Sequence, residues 1–229
     1  MTYKNIERAK FLSRPNRFIA NVETERGAEV CHVKNTGRCR ELLLPGAEIY
    51  VQRHDKSEKR KTELDLISVM SLGRLVNIDS QAPNIAAYEW IANGGLLGGE
   101  HTCLRREVTY KKSRIDLYAE IGARKCFIEV KGVTLFDGTT ALFPDAPTER
   151  GVKHIKHLED AVKAGFESYI LFVVQASGLH EFTPNSATDP DFADALRSAS
   201  ENGVKVIAVD CVCTPDSMEI NKEIDVRLR

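Results

Sequence analysis

No run of this 229-residue chain is apolar for the roughly 18 residues that a membrane-crossing helix needs. The longest apolar stretch, Tyr169 to Val174, has the length of one buried strand. The opening residues, Met1-Thr2-Tyr3-Lys4-Asn5-Ile6-Glu7-Arg8, hold no apolar export segment, so a cytoplasmic address is expected, with no membrane partner. Charge of one sign is also missing. Against 33 acidic side chains stand 32 basic ones, a net charge of −1, so the chain lacks the basic field of a general DNA-coating protein. Six cysteines are present, but Cys211 and Cys213 form C-x-C, not the paired C-x-x-C of a zinc site. Reduced, packed thiols are expected. The glycines of Gly94-Gly95-Leu96-Leu97-Gly98-Gly99 are not followed by G-K-[S/T], which excludes a P-loop and leaves a flexible hinge. His154 and His157 are not part of an H-E-x-x-H, and no helix-turn-helix or zinc-finger pattern appears.

What remains is an ordinary globular composition, 42% hydrophobic and 28% charged, long enough for one large domain or two modest ones. Two basic clusters stand out. One runs from Arg53 to Lys61 and includes Lys56, Lys59 and Arg60. The other comprises Arg105, Arg106, Lys111, Lys112 and Arg114. Each serves equally as a solvated loop.

The pattern changes near residue 80. Before it, Phe18–Val22, Glu29–Val33, Glu48–Gln52, Leu64–Val69 and Leu75–Ile78 read as five short strands separated by Gly, Pro and charged loops. That is the size of a small OB-like barrel. After it, strands alternate with helices. Pro83-Asn84 opens the first helix. Strands are expected at Glu107–Tyr110, Ile115–Glu120, Cys126–Lys131, Tyr169–Val174 and Val204–Val209, with helices at Thr148–Ala164 and Asp191–Ser200. The fold class is therefore α+β or α/β, with an N-terminal barrel over 1–80 and a mixed sheet flanked by helices over 81–229.

The chemistry concentrates in Ser113-Arg114-Ile115-Asp116-Leu117 and Phe127-Ile128-Glu129-Val130-Lys131-Gly132. On a strand, Glu129 and Lys131 share one face while Ile128 and Val130 take the other. If the two strands are neighbours, Asp116 and Glu129 project side by side. Paired carboxylates call for a cation between them, and hard oxygen donors favour Mg2+ or Mn2+. The Val130 carbonyl is a further candidate ligand, and Lys131 could position a water or a phosphate. A half-exposed structural strand carries the same alternation. Thr148-Glu149-Arg150-Gly151-Val152-Lys153-His154 opens the long helix. Thr148 is a natural cap there. Arg150, Lys153 and His154 could face the site and hold a nucleic-acid strand. On the barrel, Arg14, Arg17, Phe18, Arg38 and Arg40 are candidates for strand binding, with Phe18 more naturally a core residue.

Asp116 followed by Glu129-Val130-Lys131, a helix and a buried strand resembles the PD-(D/E)xK nuclease superfamily, in which such residues bind metal and activate water. The resemblance implies a catalytic set of Asp116, Glu129 and Lys131, joined by a glutamate on the preceding helix. Glu89 matches that position, with Glu107 as the competitor; Ile115 stands where the superfamily's proline would be. A resemblance spanning nearly the whole chain is to the sugar fermentation stimulation protein A family. It rests on Asn35-Thr36-Gly37, Leu44-Pro45-Gly46, Asn77 with Pro83-Asn84, Ser113-Arg114-Ile115-Asp116, Ile128-Glu129-Val130-Lys131, Phe143-Pro144-Asp145-Ala146 and Thr148-Glu149-Arg150-Gly151 with Lys153-His154. It implies DNA binding, a link to regulation of sugar (maltose) use, and an OB-like domain joined to a nuclease-like one. Two functions follow as expectations. One is a Mg2+-dependent nuclease acting on DNA. The other is a non-catalytic DNA-binding transcriptional regulator on a nuclease-like scaffold. RNA recognition through the barrel and a homodimer both stay open.

Overall fold

The first strand, β1 (Ile6–Asn16), buries only Ala9 and Phe11 and gives most other positions to charged or polar side chains. The computed structural model describes residues 1–35, 37–58, 60–111 and 113–228; Thr36, Lys59 and Lys112, each named above, lie outside the described residues. β1 pairs antiparallel with β2 (Ile19–Thr24) on one side and β4 (Glu48–Arg53) on the other. β2 continues to β3 (Gly27–Val33), β4 to β5 (Leu64–Ser71), and a parallel pairing of β3 with β5 closes the ring. A closed five-stranded barrel with this connectivity is an OB-type fold. Ala20, Val22, Cys31, Ile49, Val51, Leu64 and Leu66 fill it and are fully shielded from solvent.

The sequence pattern predicts the fold of this part but not its strand list. β1 goes unrecognised because a barrel wall needs only its inward residues to be apolar, and here those are two. The Leu75–Ile78 run forms β6 (Arg74–Asn77), which pairs with β5 outside the closed ring.

The second part is a nine-stranded mixed sheet. Its centre holds β7 (Cys103–Tyr110), β8 (Ser113–Ile121), β9 (Arg124–Val133), β12 (Glu167–Val174), β14 (Lys205–Thr214) and β15 (Ser217–Val226), in the order β15-β14-β12-β9-β8-β7. β9, β12 and β14 run parallel, whereas β7 and β8 pair antiparallel with their neighbours and β15 antiparallel with β14. Beyond β15 the sheet continues through β13 (Glu181–Pro184), β11 (Thr140–Phe143) and β10 (Leu135–Asp137). Helix α1 (Ala82–Ala92) lays Ala82, Ala86, Ala87 and Ile91 on one face, against Ile128, Val130, Leu171 and Val173. Helices α2 (Glu149–Lys163) and α3 (Pro190–Glu201) cover the other with Ile155, Leu158, Phe192 and Leu196. Thr148 caps α2, its hydroxyl accepting the Gly151 N–H at 3.0 Å.

β15 escapes a period-two reading because its register slips. The pairs Cys211↔Ile220 and Asp210↔Lys222 leave Asn221 as an extra residue. Met218 and Ile220 therefore face α1, while Ile224 joins the opposite core. The Asn221 side chain donates to Asp210 across the bulge at 3.1 Å.

The two parts meet through a buried polar network. Tyr3, Lys34, Asn77, Asp79 and Gln175 are linked by hydrogen bonds, and Thr2 bridges to Ser217 at the start of β15. In the Gly94–Gly99 segment, expected as a flexible hinge, Gly94, Gly98 and Gly99 are exposed while the middle is anchored. Gly95 lies directly under the Trp90 indole, Leu97 is buried, and the Leu97 carbonyl accepts from Arg124. The six cysteines are free thiols. Among the described residues, no helix is long and apolar enough to cross a membrane.

Candidate active site

β8 and β9 pair in register from Ile121↔Arg124 to Leu117↔Ile128 and then part. Asp116 is the first residue past the last pair. Its carboxylate fills the gap: Oδ2 accepts the Val130 N–H at 2.9 Å, and Oδ1 accepts Asn84 Nδ2 at 2.9 Å. The N–H and C=O of one strand residue point to the same side. With the Val130 N–H spent on Asp116, its carbonyl also points into the gap that β8 has left.

Glu129 and Lys131 lie on the α2 face of β9, as alternation requires. Glu129 is 2% exposed. Its Oε1 accepts from Lys131 Nζ at 2.6 Å and from His154 Nδ1. His154 projects from the second turn of α2, and its Nε2 accepts from Arg150 Nε at 3.4 Å. That chain of bonds fits the tautomer with its proton on Nδ1. Among the described residues, no hydrogen bond reaches Glu129 Oε2.

The two carboxylates are held differently. Burial, followed by the Glu129 charge, raises the pKa of Asp116 against the pull of the Val130 N–H and Lys131. Burial opposes charge on Glu129 as well, but the His154 hydrogen bond and the Lys131 ammonium together hold its pKa below the usual carboxylate range.

The donor set fits a hard divalent cation. It offers two carboxylates and one backbone carbonyl, all oxygens, in a pocket where the carboxylates repel each other. Among the described residues, no three His, Cys, Asp or Glu side chains gather into a metal-holding group. The protein would thus fill only part of the coordination shell, leaving the rest to water and phosphate oxygens, as suits Mg2+.

The remaining sequence candidates fall as follows. Glu89, matched to the helix glutamate, points elsewhere: its carboxylate binds the Met1 amino group at 2.6 Å. Five helical positions separate it from Asn84, which puts the two on different sides of α1. Asn84 is the α1 residue that touches the site. Glu107 stands opposite Asp116 in register, between the pairs Arg106↔Leu117 and Val108↔Ile115. Its backbone is left-handed, with φ 55°, and its side chain turns to Arg114 at 3.7 Å. Arg114 is exposed. Lys153 is exposed too, without a hydrogen bond or ion pair among the described residues.

On the barrel, Arg14 is committed to the fold. Its guanidinium donates to the carbonyls of Arg17, Asn35, Gly37 and Arg38 at 2.7 to 2.9 Å. Arg17, Arg38 and Arg40 stay exposed. Phe18, read from the sequence as core, is 44% exposed. It belongs to the β1–β2 turn, one residue before the alternation of β2 begins, and Arg17 stacks over its ring at 4.8 Å. In the Arg53 and Arg105 clusters, Arg53 pairs with Glu7 and Glu29, Arg60 with Asp65, and Lys111 with Asp160.

Asn84 was read as part of a helix start and of a family motif but not as a site residue, since no spacing ties a first-turn asparagine to an aspartate 32 residues on.

Comparison with known proteins places these features in a family. Residues 81–217 match the model described as the sugar fermentation stimulation protein RE domain, and residues 12–78 match that of the SfsA N-terminal OB domain. The chain is 52% identical to a sugar fermentation stimulation protein homolog of Ruminiclostridium cellulolyticum over 228 residues, covering 100% of both. It is likewise 52% identical to one of Desulfitobacterium hafniense, covering 100% of this chain and 99% of the other. A solved structure of Pyrococcus furiosus SfsA in complex with Ca2+ superposes with a TM-score of 0.89 at 28% identity, covering 99% of this chain and 98% of that one.

Proposed function

The chain belongs to the sugar fermentation stimulation protein family, and from that premise we propose that it is a divalent-cation-dependent phosphodiesterase acting on DNA, centred on Asp116, Glu129 and Lys131. One observation carries this reading: half-buried Asp116 and buried Glu129 sit on adjacent strands, Asp116 on the Val130 N–H and Glu129 bound by Lys131. A solved structure of this fold is described as a complex with Ca2+, which supports the divalent-cation part of this reading.

Asp116, Glu129 and the Val130 carbonyl would hold Mg2+ or Mn2+. Such an ion, when bound, polarises a water and offsets charge on the attacked phosphate. The protein's own groups prepare the site. Asn84 and the Val130 N–H fix the Asp116 carboxylate. His154 and Lys131 fix Glu129 through one oxygen and leave Oε2 available. The Lys131 ammonium is a compact charge able to orient a phosphate oxygen. Arg150 and Lys153, on the first two turns of α2, would grip the strand, aided by the helix N-terminus. Exposed Phe18 with Arg17 and Arg38 gives the barrel a stacking and charge surface of the sort that single strands use.

A non-catalytic DNA-binding regulator on the same scaffold is favoured by the position of Glu89, which leaves the site with two carboxylates rather than three. Incubating single-stranded, duplex and branched DNA with the protein in Mg2+, Mn2+ or EDTA separates the readings. Cation-dependent cutting supports the phosphodiesterase; tight binding with no cutting supports the regulator.

A further inference from the structure

At the carboxyl ends of β9 and β12 lies a cavity of about 280 Å3 that the phosphodiesterase reading leaves unused. Carboxyl ends of parallel strands are where sheets of this kind hold ligands. Its wall begins at Gly132, the residue after Lys131, and continues through Leu142 and Phe143 to Asp145 and Gln175.

Gln175 is the unusual member. It is 2% exposed, yet only half of its amide is used. Nε2 donates to the Asn77 carbonyl at 2.9 Å, the Asp79 carbonyl at 3.1 Å and Asn77 Oδ1 at 3.3 Å. Three acceptors around one atom fix that atom as nitrogen, so Oε1 is turned toward Gly132. Among the described residues, no hydrogen bond reaches Oε1. Oε1 opens onto the cavity, where it is free to accept from a ligand. Gly132 lets Gln175 and the first turn of α1 approach β9 closely: a Cβ there would lie 2.6 Å from Gln175 Oε1 and 2.7 Å from Pro83 Cγ. Asp145 brings a second acceptor to the same wall, and Leu142 and Phe143 give it an apolar flank.

Building on the phosphodiesterase reading, we propose that this cavity takes one unstacked nucleobase carrying an exocyclic amine. An amine offers two N–H donors to two acceptors. Thymine offers one imide N–H between two carbonyls, and those carbonyls would meet Gln175 Oε1 and Asp145 with like polarity. The path of the strand follows from shared lining. Gly37 borders both this cavity and the groove formed by Arg14, Arg17, Arg38 and Arg40. A strand lying on the barrel arginines passes the cavity on its way to Lys131, so both parts of the chain act on one strand.

Equilibrium binding of labelled 12-residue oligo(dA), oligo(dC) and oligo(dT) to the full chain, in EDTA and in Ca2+, tests this by fluorescence anisotropy. Oligo(dA) and oligo(dC) are expected to bind roughly 3- to 10-fold tighter than oligo(dT), the weight of about one hydrogen bond. Asp145→Ala, at an exposed position, should bring that ratio toward one without weakening oligo(dT), whereas Asp145→Asn, which keeps an acceptor oxygen, should retain the preference. Equal affinities in the wild type, or a preference that Asp145→Ala retains, overturns the base pocket while leaving the phosphodiesterase reading in place. Failure of every oligonucleotide to bind overturns the base pocket and leaves the phosphodiesterase reading to duplex and branched substrates.

Discussion

Asp116 Oδ2 accepts the backbone N–H of Val130 at 2.9 Å, so a side chain takes the place of a strand partner where β8 leaves β9. This one bond holds an acid beside Glu129, turns the Val130 carbonyl into the same gap, and explains how a continuous sheet opens a site in its middle.

If that gap holds a cation, Mg2+ or Mn2+ should stabilise the wild type and not Asp116→Ala. A cation at about 100 times its dissociation constant adds roughly 2.7 kcal/mol. For a chain of this size that raises Tm by about 5 to 10 °C. Differential scanning calorimetry with and without the ion measures it. A shift retained in Asp116→Ala would move the cation elsewhere.

His154 acts on Glu129 rather than on substrate. His154→Ala should weaken cation affinity by roughly 10- to 100-fold, the usual penalty for losing a group that orients a ligand. His154→Asn can still present an N–H to Glu129 Oε1 and should recover much of the affinity. Isothermal titration with Mn2+ distinguishes this from a plain packing defect, which the asparagine would not repair.

Phe18→Ala should cost about 1 to 3 kcal/mol of single-strand binding, the contribution of one stacked base. Its melting temperature should hardly move, because the ring is exposed and leaves no core cavity. Unchanged affinity would exclude this turn from the interface.

The barrel should lose stability in acid through Arg53. The Arg53 hydrogen bond lowers Glu29 from 4.5 to about 2, and the same guanidinium lowers Glu7. A carboxylate with a depressed folded pKa adds stability that is complete above about 4.5 and is lost as pH falls toward 2. Arg53→Met should cost about 2 kcal/mol at pH 7, after allowance for partial exposure, and flatten the acid limb between pH 4.5 and 2. Urea unfolding across that range checks both effects.

The two-part architecture, an OB-like barrel followed by a mixed sheet flanked by helices, was legible in the sequence, and so was the face that each β9 side chain takes. Glu129 and Lys131 on one face, with Val130 opposite, follow from alternation alone. So does the capped start of α2 at Thr148. The hidden parts share a cause, which is structure set by long-range pairing. β1 needs only two apolar residues because the barrel wall supplies the rest, and β15 breaks its alternation at Asn221. Asn84 and Glu89 lie on one helix with similar polarity, and only the packing of α1 decides which of them reaches Asp116. Phe18 looked like core because Ala20 and Val22 continue its period, yet β2 begins one residue later.

The most direct measurement is cleavage of labelled DNA in Mn2+ by wild type, Asp116→Ala and Lys131→Ala, with binding of the same DNA followed in parallel. The account predicts cutting by the wild type, loss of at least about 100-fold in each variant, and strand binding retained by all three. No cutting by the wild type, or cutting undiminished in both variants, would contradict it.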